Sequence, residues 1–191
     1  GEDMQQGAEI FQEGHQLRPE ELGVMAAAGL GEVSVFKPLK VAVISTGAEL
    51  RAPGQAARVD QIFDANRPML CALLRRWGME VVDIGIVPDE AAAVRAALDR
   101  AAARADVILT SGGASAGDEE HMSAVLRAGG GMALWRIAVK PGRPLALGVW
   151  GGVPVFGLPG NPVAAFVCTL IFARPASVSY THLTLPTTPY V

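Results

Sequence analysis

The chain is poor in the residues that small extracellular or metal-clasping proteins rely on. Only two cysteines occur in 191 residues, Cys71 and Cys168, each inside an apolar, helix-like pattern. Buried thiols in a reducing compartment account for them, which leaves no disulfide framework. The three histidines, His15, His121 and His182, stand far apart and show no ligand spacing. Neither sign of charge dominates: a formal net charge of -3 leaves no electrostatic footprint for nucleic acid. No uninterrupted run of about twenty apolar residues crosses the chain, so no membrane-spanning helix is expected. No secretory signal pattern opens it, and a cytoplasmic location is the expectation. An initial Met is also missing; Gly1-Glu-Asp is the start expected of a chain whose true N-terminus lies upstream. Charged residues are scarce at 18% and hydrophobic residues make up 50%, enough for a full core and against disorder. The length implies one domain, or one domain plus a fragment of another.

Within this composition a regular alternation stands out. Glu9, Phe11, Gly14 and Leu17 suggest short extended pieces, and 19–28 reads as a short helix with acidic residues in its first turn. From Lys40 the pattern tightens. Lys40-Val-Ala-Val-Ile-Ser45 is a continuous apolar run, as expected of a strand buried on both faces. Leu70, Leu73, Leu74 and Trp77 follow the spacing of a helix that Asn66 is placed to cap and Gly78 to stop. A strand over 79–87 precedes a helix starting at Asp89, with Val94, Ala97, Leu98 and Ala101 on one face. A strand over 106–110 precedes a short helix carrying Met122, Val125 and Leu126. Strands over 133–139, 145–149 and 153–156 follow, and then a helix capped by Asn161 with Pro162 at its first position. Alternating strands and helices predict an α/β fold in three layers around a parallel or mixed sheet with right-handed crossovers. The segment 177–191 has no helical period, and Pro186 and Pro189 bar a central strand. It resembles the translation of a sequencing adapter and is expected to be an unstructured tail.

The chemistry is concentrated in the turns that follow the predicted strands, where an open α/β sheet forms its ligand crevice. In Ser45-Thr46-Gly47-Ala48-Glu49-Leu50, a hydroxyl on Thr46 and a carboxylate on Glu49 can meet a ligand or metal; the alternative is that Thr46 and Gly47 only build the turn. Ser111-Gly112-Gly113-Ala-Ser-Ala-Gly117 lets backbone N–H groups approach phosphate oxygens, but it lacks the Gly-Lys-Ser/Thr ending of a Walker A loop. Asp118, Glu119 and Glu120 follow it. Phosphate beside three carboxylates needs a bridging divalent cation, the alternative being simple helix capping. Lys140-Pro-Gly-Arg143-Pro144 sets two cations on a stiff turn, Arg143 with a fork and Lys140 with a point charge. Either cation alone could be a solvated turn. Pro159 and Pro162 brace Gly160 and Asn161, where a helix N-terminus offers N–H donors to an anion.

Six of these elements occur together and in order: Ser-Thr-Gly-Ala-Glu-Leu, Asp64-Ala-Asn66, Gly85-Ile-Val-Pro-Asp89, Ser-Gly-Gly-x-Ser-x-Gly-Asp, Lys-Pro-Gly-Arg-Pro and Leu158-Pro-Gly-Asn-Pro-Val163. As a set they resemble the MoeA-type molybdopterin molybdotransferases, or molybdenum insertases, the family of the gephyrin E domain. The resemblance runs from Gly1 to about Pro175. It implies that 1–36 is the end of preceding N-terminal domains with a linker, and that 37–176 is a MoaB/Mog-like molybdopterin-binding domain. It further implies a homodimer when full length and a reaction on adenylylated molybdopterin and molybdate, in which the adenylate is hydrolysed with a divalent metal such as Mg2+. A Mog-type adenylyltransferase is the partner it implies. By position, Glu49, Asp89 and Glu120 match acidic catalytic and metal sites. Thr46, Ser111, Gly112, Gly113, Lys140, Arg143, Pro159, Gly160, Asn161 and Pro162 match ligand-binding turns. Two departures are visible: Ala48 stands where Asp or Glu is usual, and Glu120 where Asp is usual. The same fold carries Mog-type adenylyltransferases and CinA-type pyrophosphatases. The segment before Lys37 and the Leu-Pro-Gly-Asn-Pro turn favour the insertase, and a gephyrin-like scaffold role is a third reading.

Overall fold

The computed structural model describes residues 5, 7–12, 15, 17–112, 121–129, 132–136 and 144–175, with 132–136 and 144 described by backbone alone. The chain divides into two compact units, one over Pro38–Ser177 and another that includes Gly1–Lys37. In the latter, helix α1 (Pro19–Ala27) begins with Pro at its first turn, where a missing N–H costs nothing. The Glu21 carboxylate accepts from both the side chain and the backbone N–H of Arg18 and lies 2.8 Å from His15 Nε2. Those contacts, the Arg18 side chain first, hold its carboxyl down at about 2. The extended pieces expected around Glu9 and Phe11 form no strand among the described residues.

The larger unit holds β1 (Lys40–Thr46), β2 (Leu50–Arg51), β3 (Ile62–Phe63), α2 (Asn66–Arg76), β4 (Glu80–Val87), α3 (Ala91–Ala102) and β5 (Val107–Ser111). After these come α4 (His121–Gly129), β6 (Met132–Arg136), β7 (Pro144–Trp150), β8 (Val153–Leu158) and α5 (Pro162–Cys168), the last running on into a π-helical turn over Thr169–Ala173. Six strands form one sheet in the order β4-β1-β5-β8-β7-β6. The first four are parallel, whereas β7 runs antiparallel to both β8 and β6. The sheet is therefore mixed. The hairpin follows from Gly151 and Gly152, both at positive φ (55° and 83°) between Trp150 and Val153, a two-residue turn that only residues tolerant of left-handed backbone make readily.

Apolar periodicity accounts for the layers. Along β1, Val41 and Val43 face one side and Ala42 and Ile44 the other, all with 0% exposure, because successive strand side chains alternate. On one face Leu70, Cys71 and Leu74 of α2 and Ala165 and Cys168 of α5 close the core. On the other, Val94, Ala97, Leu98 and Ala101 of α3 and Met122, Val125 and Leu126 of α4 do the same. Both cysteines are buried, and burial pushes both thiols up. Trp150 ties the hairpin to α3: its indole N–H donates to Asp99 at 2.8 Å, and Arg95 stacks 5.1 Å from its ring.

Two helix starts differ from the sequence reading. Asn66 is inside α2, whose N-cap is Ala65; the Asp64 carboxylate accepts from the Arg67 amide instead (3.1 Å). Asp89 does not begin α3 either, because Glu90 is its N-cap and makes no side-chain cap bond. Both residues are thus free for other work. At α5 the reading holds, with Asn161 as the cap and its Oδ1 accepting from Ala164 N at 3.1 Å.

Candidate functional site

Four parallel strands end level with one another. Thr46 of β1 pairs with Val87 of β4, Ser45 with Ser111 of β5, and Ser111 with Leu158 of β8. The turns that follow, carrying Gly47 to Glu49, Pro88 and Asp89, Gly112, and Pro159 to Asn161, therefore open on a single edge. Chain connections leave β1 towards β4 and leave β5 towards β8, in opposite directions, so this edge is the switch point at which open α/β sheets bind ligands.

Buried polar atoms without partners concentrate at the same place. Among the described residues they are Ser45 Oγ, Thr46 Oγ1, Asn66 Oδ1, Asp89 Oδ1 and Thr110 Oγ1. A buried acceptor or hydroxyl left unsatisfied costs on the order of 1–3 kcal/mol. Five in one region mark a place built for something other than stability. Sequence reasoning missed Ser45, Thr110 and the role of Asn66. The available signal was a polar pair, Ser45 and Thr46, closing an otherwise apolar strand.

Asn66 joins the crossovers. Its Nδ2 donates to Ser111 Oγ at 2.6 Å and to the Gly160 carbonyl at 2.7 Å, which fixes the β5 and β8 turns relative to α2 and leaves its buried Oδ1 without a partner. Asn66→Asp keeps the shape and removes both donors, placing a carboxylate against the Gly160 oxygen. We expect a loss of about 1–3 kcal/mol, read as a lowered urea midpoint with unchanged slope; a midpoint equal to wild type would show that the bridge is dispensable.

Gly112 lies directly on the end of β1. It holds φ +84°, and a Cβ there would meet the Thr46 carbonyl oxygen at 2.3 Å. Glu49 is exposed, and its carboxylate folds back over Gly47, where a Cβ would lie 2.8 Å from Oε2. Asp89 Oδ1 stands 3.5 Å from His121 Nδ1 at the start of α4. The N-terminus of α5 offers an anion less than the sequence implied. Asn161 takes the Ala164 amide through its side chain and the Ala165 amide through its carbonyl, and Pro162 has none, which leaves Val163. Gly113, Glu120, Lys140 and Arg143 lie outside the described residues.

Among the described residues no group of three His, Cys, Asp or Glu side chains is gathered to hold a metal ion. Glu49 and Asp89 nevertheless share the edge, and the buried, partnerless Oδ1 of Asp89 is the type of anionic oxygen a hard cation requires.

An open α/β sheet with polar turns gathered at its switch point is the architecture of a small-molecule-binding α/β domain. Residues 42–177 match the family described as "Probable molybdopterin binding domain", and the chain belongs to that family. It is 40% identical over 175 residues to the molybdopterin molybdenumtransferase of Haemophilus influenzae, covering 92% of this chain and 43% of that protein. It is 41% identical over 181 residues to molybdopterin molybdenumtransferase 2 of Mycobacterium tuberculosis, covering 92% and 45%. The solved structure of the molybdopterin biosynthesis MoeA protein of Pyrococcus horikoshii superposes with a TM-score of 0.78 at 33% identity, covering 88% of this chain and 42% of that one. The chain thus spans less than half the length of these relatives.

Proposed function

We propose that this chain is the molybdopterin-binding domain of a molybdenum insertase acting in molybdenum cofactor biosynthesis. The observation that carries the reading is the set of five partnerless buried oxygens at the switch point of a domain from this family. The substrates are adenylylated molybdopterin and molybdate. Water adds to a phosphorus of the anhydride, the bridging P–O bond breaks and AMP leaves; the two dithiolene sulfurs bond to the molybdenum of molybdate, one of whose oxygens departs as water with the two thiol protons. The hydroxyl of Thr46, at the end of β1, supplies a hydrogen bond to the phosphate region, and Gly112 lets its backbone approach. Asn66 holds the two neighbouring turns in register. Glu49 and Asp89, with Glu120, are the residues to hold a divalent cation such as Mg2+, which when bound neutralises charge on the phosphate under attack. Lys140, Arg143, Gly113, Pro159, Gly160, Asn161 and Pro162 complete the ligand-binding turns in this reading. Among the described residues no helix is long and apolar enough to cross a membrane, and the proposed setting is the cytoplasm. The finer division is 1–36 as the end of preceding N-terminal domains with a linker, 37–176 as the MoaB/Mog-like molybdopterin-binding domain and 177–191 as an unstructured tail. A homodimer and a Mog-type adenylyltransferase partner belong to the same proposal.

The test is AMP release by the intact protein from adenylylated molybdopterin, together with reconstitution of a molybdenum-free apoenzyme. Release dependent on both molybdate and Mg2+ is expected, with little from residues 1–191 alone, since a site lacking its flanking domains lacks part of its shell. Adenylyl transfer from ATP onto molybdopterin, in place of AMP release, would instead identify the adenylyltransferase of the same fold.

A further inference from the structure

Beside the β1 turn the fold opens a cleft of about 570 Å³ whose charged lining is entirely cationic: Arg51, Arg58 and Arg67 face it, and no Asp or Glu is among its lining residues. The miniature β2–β3 sheet builds it. Leu50 pairs with Ile62 and Arg51 with Phe63, and the Ile62 and Asp64 amides donate to the carbonyls of Glu49 and Arg51 (2.9 and 2.8 Å). That ladder sets Arg51 beside Gln61. Gln61 Oε1 then accepts from Arg51 Nε at 3.0 Å and from the Arg58 amide at 3.1 Å. With its oxygen occupied by two donors, the amide's NH2 is the end left for a ligand.

The arginines are held from behind. Arg58 is forked onto Asp60 (3.1 and 3.2 Å), and Arg67 onto the 2%-exposed Asp64 and onto Asp83 (3.2 and 2.7 Å). Arg51 pairs with no carboxylate among the described residues, and its two terminal nitrogens make no hydrogen bond to them. Those carboxylates take the Nε and one terminal nitrogen of both Arg58 and Arg67, so the donors left for a ligand are the two terminal nitrogens of Arg51 and one from each of the other two. Leu50, Ile86 and Pro88 form an apolar wall opposite.

We propose that this cleft is an oxyanion subsite that takes a phosphoryl group, free or carried on a planar ring lying against the Leu50–Ile86–Pro88 wall. The open fork of Arg51's terminal nitrogens matches two oxygens of a tetrahedral oxyanion, and the remaining nitrogens of Arg58 and Arg67 and the Gln61 amide add further donors. Its lining includes Gly47, Ala48 and Pro88, so it adjoins the turns that carry Glu49 and Asp89, while none of the residues with orphaned oxygens lines it. The inference rests on this cleft and not on the insertase reading, so the two fail separately.

The test is titration calorimetry on the intact protein with inorganic phosphate, with phenyl phosphate as the ring-bearing monoester, and with phenol as the phosphate-free control. The double variant Arg51→Gln/Arg58→Gln is expected to weaken both phosphates at least ~10-fold, because each charge-assisted contact is worth about a tenfold change or more, and to leave phenol unaffected. Arg51→Lys/Arg58→Lys, which keeps charge but loses the fork, should recover part of the binding and stands in if the glutamine pair lowers the thermal midpoint. Tighter binding of phenyl phosphate identifies the esterified group as the occupant, and equal binding identifies the free anion. Phosphate affinity unchanged in both double variants, or no phosphate heat at tens of millimolar, would overturn the assignment.

Discussion

Asp89→Asn in the intact protein is expected to lower metal-dependent AMP release by about 100-fold or more while changing stability by under about 1 kcal/mol. The asymmetry follows from where the carboxylate stands. Were Asp89 a helix cap, Asn would serve equally well and the variant would be silent in both respects. It is not a cap: α3 begins at Ala91 with Glu90 extended before it. Asp89 Oδ1 is buried and accepts no hydrogen bond among the described residues, with His121 Nδ1 3.5 Å away. Burying an acceptor with no partner is unfavourable in the free protein and becomes favourable when a cation arrives. The amide keeps the shape and removes the charge the cation needs. Glu49→Gln should behave the same way, and since Glu49 is exposed its loss should cost the fold nothing. Turnover equal to wild type in folded Asp89→Asn protein, measured at limiting metal, would remove this residue from the chemistry.

Gly112→Ala is expected to destabilise the larger unit by at least about 3 kcal/mol, from two additive causes. At φ +84° an L-residue loses roughly 1–2 kcal/mol. The added Cβ would also lie 2.3 Å from the Thr46 carbonyl oxygen and 3.2 Å from its hydroxyl. The first of these is backbone, so no rotamer change relieves it, and the ends of β1 and β5 must separate. Gly152 provides the control. Its φ is nearly the same, +83°, and nothing lies within 4 Å of an added Cβ, so Gly152→Ala should show the conformational part alone, about 1 kcal/mol. Equal losses in the two variants, read by urea unfolding, would mean that the close approach of β5 to β1 carries no energy.

The layered α/β fold was legible because burial on both faces forces unbroken apolar runs. Lys40-Val-Ala-Val-Ile-Ser45 and the Val94, Ala97, Leu98, Ala101 series meet the periods of strand and helix with little ambiguity, and the observed core uses them. The sequence reading allowed a mixed sheet, and Gly151-Gly152 between two apolar runs is the turn that reverses β7 against β8. Other features could not be read. β2 and β3 have two residues each, too few to show any period, and they create the arginine cleft. Asn66 looks like a cap because asparagine before an apolar helix usually is one; only the approach of Ser111 and Gly160 reveals a bridge. The π-helical turn after α5 departs from no composition rule. The site's location was readable from turns following strands, whereas its partnerless oxygens depend on which neighbours fail to arrive, and that is settled only in three dimensions.

The Asn66 bridge also has a consequence for the order of events during synthesis. Its two acceptors lie 45 and 94 positions further along the chain, so the first layers can pack while one of its bonds is still missing. β1, α2 and β4 form a locally connected module that can condense early, since short loops close at low entropic cost. The crevice cannot exist until β8 has threaded next to β5 and delivered Gly160. Competence to bind is therefore acquired through a long-range contact, the slow class, and a nascent chain halted before that strand would hold only part of the core and no site.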